Sequence, residues 1–185
     1  MELRRPSSDD ELESLQRYAW VLARQLKYAE ALALCDWLIE DPWSMVTGFR
    51  ERAAVRQQMD NIAGAIGDLQ AVTSRYDQEP GDFHALGLLL LQQGATLEAI
   101  RAFDQAIGLG EYSGHHYYRN SSLLFRADAH LKAADFARAL ADAARLPDDY
   151  QAFLPGSGMR SKALLLAGAR AGLAHKSALM FLRRP

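Results

Sequence analysis

The chain has 185 residues, 49% of them hydrophobic and 24% charged, with a formal net charge of −2. That is enough apolar material for one domain or a short repeat array, and so balanced a charge gives no electrostatic reason to expect nucleic acid or an anionic membrane surface as partner. The lone cysteine, Cys35, excludes an intramolecular disulfide, and the densest apolar stretch, ALGLLLLQQGA, is far shorter than the about 20 residues that span a bilayer, so a cytoplasmic protein is expected.

The first residues, MELRRPSSDDELESL, have no apolar run after their arginines and do not read as a secretory signal. Beyond them, small residues recur among large apolar ones in successive segments. The first segment, 12–44, carries Tyr18-Ala19, Leu22, Tyr28, Ala31, Cys35 and Leu38. The second, 46–80, carries Phe49, Arg52-Ala53, Arg56, Ile62, Ala65, Leu69 and Val72. The third, 81–111, is the most regular, with Phe83, Leu86-Gly87, Leu90, Gly94, Ala99, Phe103 and Ala106. The fourth, 115–147, has Arg126-Ala127, His130, Phe136, Ala139 and Ala143. Ala31, Ala65 and Ala99 are 34 residues apart, and Ala139 follows Ala99 after 40. The excess of six holds the His115–Tyr118 stretch, His-His-Tyr-Tyr. It either lengthens a loop or extends the front of the next helix, with Ser113 as its cap. A loop rich in Pro, Gly and Asp follows, in which PGSGM reads as a flexible turn, and then a tail of small and apolar residues, 159–183.

This pattern resembles the tetratricopeptide repeat, in which an aromatic, a Leu-Gly pair, a second aromatic, Gly, Ala, Phe and Ala recur over 34 residues. The third segment matches at seven positions, with Leu90 in place of the usual Tyr. The resemblance covers residues 12 to 147 well and the tail poorly. It implies an all-α fold: a right-handed α-solenoid of antiparallel helix pairs, about four units forming a single domain over 1–185, closed by a C-terminal capping helix over 159–183. In each pair Gly87 or its equivalent lets the neighbouring helix approach, Gly94 marks the turn, and Ala99 and its equivalents lie where the two helices cross most tightly. Cys35 falls on a buried position of a second helix and reads as a small core residue.

In this family the first helices line a concave groove. Transferring the groove positions selects Gln16, Arg17, Trp20 and Arg24, then Arg50, Glu51 and Ala54, then His84, Leu88 and Leu91, then Leu124, Phe125, Asp128 and Leu131. The first half is polar and leans basic; the second is apolar, which on an exposed surface usually marks an interface. The alternative is that the insertion or the tail folds over that half and hides it. Candidate partner-binding residues are Arg17, Trp20, Arg24, Arg50, Glu51, His84, Leu88, Leu91, Phe125 and Asp128. Trp20 beside Arg17 and Arg24 has hot-spot composition, against the alternative of a Trp packed between helices. Trp20 and Ala54 stand where some members of the family place asparagines that clamp a C-terminal carboxylate, so that clamp is not expected.

Neither phosphate-loop glycines nor CxxC, HExxH or GxSxG occurs. Adjacent His115 and His116 would point about 100° apart on a helix and would not chelate one ion together. His130, on a position usually given to a packing aromatic, reads as core. No enzyme activity, metal or cofactor is expected. The expected function is a module that binds a protein or peptide on its concave face, such as a bacterial dedicated client chaperone. The alternatives are a toxin-neutralising immunity partner and a self-associating structural module that forms homo-oligomers through KALLLAGARAGLA.

Overall fold

The computed structural model describes residues 5–75, 79–114, 117–154 and 158–182. His115, His116 and most of PGSGM lie outside the described residues. The chain falls into two compact units, Met1–Gln78 and Glu79–Pro185.

The first unit holds α1 (Asp9–Arg24), α2 (Tyr28–Ile39), α3 (Met45–Gln58) and α4 (Ile62–Arg75), each packed on the next. Ser8 caps α1 by accepting from the Glu11 N–H at 3.3 Å, and Asp9, Asp10 and Glu11 place negative charge at the positive end of the helix dipole. The second unit holds α5 (Pro80–Gln93), α6 (Thr96–Ser113), α7 (Tyr117–Lys132) and α8 (Phe136–Ala144), then a hairpin of β1 (Gln151–Leu154) and β2 (Gly158–Ser161), then α9 (Lys162–Leu182). Each unit is therefore built on two helix pairs, to which the second adds the hairpin and α9, and this is the all-α solenoid architecture that the repeat pattern implies.

One turn joins the helices of every pair. Lys27, Asn61, Ala95 and Asp135 donate their backbone N–H to the carbonyls of Leu22, Arg56, Leu90 and His130 at 2.8 to 2.9 Å. The residue before each donor takes a left-handed conformation: Leu26, Asp60, Gly94 and Ala134, with φ of 62°, 59°, 83° and 57°. This is the Schellman closure of a helix C-terminus, and it satisfies carbonyls that would otherwise be orphaned. Only Gly94 adopts that φ without strain. The small residues explain how closely the helices then approach. Ala31, Ala65, Ala99 and Ala139 have no exposed surface, and a Cβ on Gly87 would sit 2.5 Å from the Phe103 ring. Cys35 belongs to the core of the first unit with Ala19, Leu22, Ala31, Leu34 and Val55. Burial pushes its thiol up to about 12, so it stays protonated.

The six extra residues are absorbed mainly by helix. α6 runs to Ser113 and is closed by Gly114 at φ 73°, and α7 starts at Tyr117. Ser113 is the last residue of α6, and its hydroxyl donates back to the Leu109 carbonyl at 2.8 Å. Glu111, on the added turn of α6, accepts from Arg119 at 3.1 Å and from Arg145, tying that turn to α7 and to the end of α8.

The hairpin is the element that the repeat pattern does not foresee. Gln151 pairs with Ser161 and Leu154 with Gly158, and both strands pack on α7. The tail is helical, as expected of a cap, and α9 packs along α8 and α7. Its small residues make that contact inside the unit: a Cβ on Gly172 would meet the Phe136 ring at 2.4 Å, and one on Gly168 would meet Leu131 at 3.2 Å.

Candidate interaction face

On the first unit, α1 and α3, which carry the selected residues, pack together. Trp20 is 55% exposed, so it is not a packing residue between helices. The Arg24 guanidinium lies 5.4 Å from the centre of its ring, a cation–π stack that holds the indole outward. One turn earlier Arg17 is exposed and pairs with Glu13 at 3.3 Å. Arg50 and Glu51 of α3 are half-buried. Gln16 of α1 donates to Glu51 at 3.4 Å, which fixes the two helices in register. Burial raises the Glu51 carboxyl above its usual range, against the hydrogen bond from Gln16 and the charge of Arg50. A rigid aromatic surface with basic neighbours is thus presented beside a partly dehydrated carboxyl group.

On the second unit the expected apolar surface is not exposed. His84, Leu91, Leu124, Phe125 and Asp128 are buried, and Leu88 and Leu131 are half-exposed. Asp128 is engaged by the unit's own C-terminal segment, and His84 and Phe125 by neighbouring rings. Arg160 of β2 donates to Asp128 at 2.7 Å, and Lys132 approaches the other Asp128 oxygen at 3.0 Å. His84 packs between the rings of Phe103, Tyr118 and Phe125, at 6.0, 5.3 and 5.9 Å, and shares a 2.9 Å hydrogen bond with Ser122. Burial lowers its pKa to about 4, so the ring is neutral and structural. His84, Leu91, Phe125 and Asp128 therefore build this part of the fold from within and do not offer a contact surface. Tyr117 and Tyr118 stand at the front of α7, edge to face at 4.9 Å, with Tyr117 exposed.

Each unit also holds a buried ion cluster that the repeat pattern passes over. Arg52 of α3 bonds Asp68 of α4 through two nitrogens, the closer at 2.6 Å, and Asp36 of α2 at 2.6 Å. Arg126 of α7 does the same, with Asp142 of α8 at 2.6 and 2.8 Å and Asp104 of α6 at 2.6 Å. The signal was present in the sequence: both arginines replace the Leu of the Leu-Gly pair, and each is followed 16 residues later by an aspartate.

Among the described residues no group of three or more His, Cys, Asp or Glu could hold a metal ion, and no helix is long and apolar enough to cross a membrane. No family model matches the chain, and no curated protein does. Solved structures do. The nearly identical TPR-like repeats of a Podosopora anserina protein named after kinesin light chain align over 96% of this chain and 93% of theirs, with a TM-score of 0.65 and 16% identity. YrrB, described as a TPR protein with an unusual peptide-binding site, aligns over 88% of this chain and 76% of its own, with a TM-score of 0.66 and 17% identity. The C-terminal part of a TPR repeat-containing protein from Cytophaga hutchinsonii aligns over 69% of this chain and 48% of its own, with a TM-score of 0.53 and 19% identity. At such identities the likeness is one of fold.

Proposed function

We propose that this tetratricopeptide-repeat fold is a protein-interaction module that takes a protein or peptide partner on the α1/α3 face of its first unit. The observation that carries the reading is the half-exposed Trp20 held under the Arg24 guanidinium, with Arg17 one turn away and Arg50 and Glu51 opposite. Trp and Arg dominate binding energy where they are rigid and can be desolvated, and here the stack sets the indole before a partner arrives. YrrB, with the same fold, is described as peptide-binding, which supports the class of function. The basic residues favour a partner segment with acidic and apolar side chains. A dedicated client, held as a chaperone holds it or neutralised as an immunity partner neutralises a toxin, would use this same face. The fold is a scaffold for contact, and we assign it no catalytic role.

The test is crosslinking of the full chain at native expression level, with the partner then titrated in purified form. Trp20→Ala with Arg24→Ala should weaken binding about thirtyfold, the scale of a hot spot, while the thermal melt stays that of wild type. Partner affinity that survives this double change would sink the reading.

A further inference from the structure

The two ion clusters occupy the same register in their units, and they differ at one position. In the first unit the buried Asp68 is neutralised twice. Arg52 takes one side, and the Arg56 guanidinium takes the other at 2.7 Å, also donating to the Gly64 carbonyl at 3.2 Å. Two aspartates, Asp36 and Asp68, thus face two arginines. In the second unit the residue equivalent to Arg56 is His130. It sits 4.0 Å from Asp142, and burial lowers its pKa, so it contributes no charge at neutral pH. Asp104 and Asp142 therefore face Arg126 alone, leaving one negative charge uncompensated.

An imidazole is also shorter than a guanidinium on its three-carbon stem. Where Arg56 reaches across in the first unit, the second has an open cavity of about 350 Å³. Its walls include Asp104, Arg126, His130, Arg138 and Asp142, with Ile100 on the apolar side. Arg126 has no charge to spare for an anion, because both aspartates already engage it. Arg138 stands at the rim, largely exposed, with its charge paired to Asp135 at 3.3 Å. The Asp104 and Asp142 carboxylates thus line the cavity at the register position where the first unit carries Arg56.

We infer that this cavity is a second binding site, which takes the guanidinium group of an arginine side chain from a protein or peptide partner in the place that Arg56 fills in the first unit. A planar fork suits the site better than a point charge: one edge meets the Asp142 carboxylate, and the outer N–H groups reach toward the Arg138 backbone carbonyl, as Arg56 does with Asp68 and Gly64. The site belongs to the second unit and is argued from its own residues, so neither reading depends on the other.

The probe is N-acetyl-arginine methylamide, titrated into the full chain and followed by the NMR signals of the His130 ring and the Arg126 Nε–H. Saturable shifts are expected, with N-acetyl-lysine methylamide binding about tenfold more weakly or not at all. His130→Arg should fill the cavity from within, keep or raise the melting temperature, and abolish the response. Asp104→Asn, at an exposed position of α6, removes one negative charge without touching the core and should weaken the probe about tenfold, so the test stands even if His130→Arg folds poorly. Equal responses to the two probes, no saturable response, or full binding by Asp104→Asn would each overturn the inference.

Discussion

Acid should loosen the second unit through a single side chain, His84. Its ring is buried among Phe103, Tyr118 and Phe125, and its pKa falls from the ordinary 6.5 to about 4 because burial penalises the charged form. In the unfolded chain the ring protonates near 6.5, so between the two values the unfolded state binds more protons than the folded one. The stabilisation is complete above pH 6.5 and is lost as the pH falls to about 4. A difference of that size is worth about 3 kcal/mol at 1.36 kcal/mol per pH unit, a large share of the 5–15 kcal/mol that typically holds a domain together. His84→Gln keeps a hydrogen-bonding group near Ser122 and removes the titration. Urea melts of wild type and His84→Gln at pH 7.5 and pH 4 isolate the effect, because the carboxylates titrate alike in both. Wild type should lose about 3 kcal/mol more than the variant over that interval. The loss should appear in backbone circular dichroism and hydrogen exchange of α5 to α7, and not in tryptophan fluorescence, since Trp20, Trp37 and Trp43 all lie in the first unit. Parallel pH dependence in the two proteins would refute the reasoning.

Three further outcomes follow from the packing. Gly87→Ala should cost about 1–3 kcal/mol by driving a methyl into Phe103, and Phe103→Leu should cost less in that background than in wild type; additive losses in a thermal-melt cycle would count against the contact. Ala134→Gly should hold or raise stability by up to about 1 kcal/mol, because it relieves a left-handed alanine, and a shifted urea midpoint reads it; a loss of about 1 kcal/mol, the usual cost of Gly for Ala in a helix, would contradict the turn geometry. Arg126→Met should cost about 3–5 kcal/mol by stranding the buried Asp142, whereas Arg52→Met should cost less, since Arg56 still reaches Asp68 at 2.7 Å; equal losses in urea would show that the second arginine does not neutralise its aspartate.

What the sequence made legible is what close packing forces. Where two helices cross with no room for a side chain, only Ala or Gly is tolerated, so Ala31, Ala65, Ala99 and Gly87 mark the register directly. Spacing left Trp20 open between an outward contact and a Trp packed between helices, and its 55% exposure is a finding of the structure. Spacing does not reveal what later covers a face. Phe125 packs on His84 and Phe103, Arg160 of the hairpin lies on Asp128, and QAFL and GMRS carry no repeat to announce a strand pair. The arginines at 52 and 126 were visible only as mismatches to an apolar position. Their meaning lies in aspartates 16 residues away, and a comparison with the family pattern alone discards it.

Those mismatches organise the molecule in pairs of repeats. Arg52 reaches back to Asp36 on the second helix of the preceding repeat and forward to Asp68 on that of its own; Arg126 links Asp104 and Asp142 in the same way. At the equivalent positions of the first and third repeats stand Tyr18 and Leu86, which carry no charge. A guanidinium that bridges one buried and one exposed carboxylate is costly to break where the buried member is left unpaired, so each arginine fastens three consecutive helices into one cooperative block. The two blocks follow one plan, and they part where Arg56 is replaced by His130. That replacement should make the second block the weaker of the two on acidification, because His84 and His130 both lie there with lowered pKa values and the first block relies on arginines that do not titrate. The same replacement opens the cavity, so the feature that costs the second block charge balance is also the one that gives it room for a ligand.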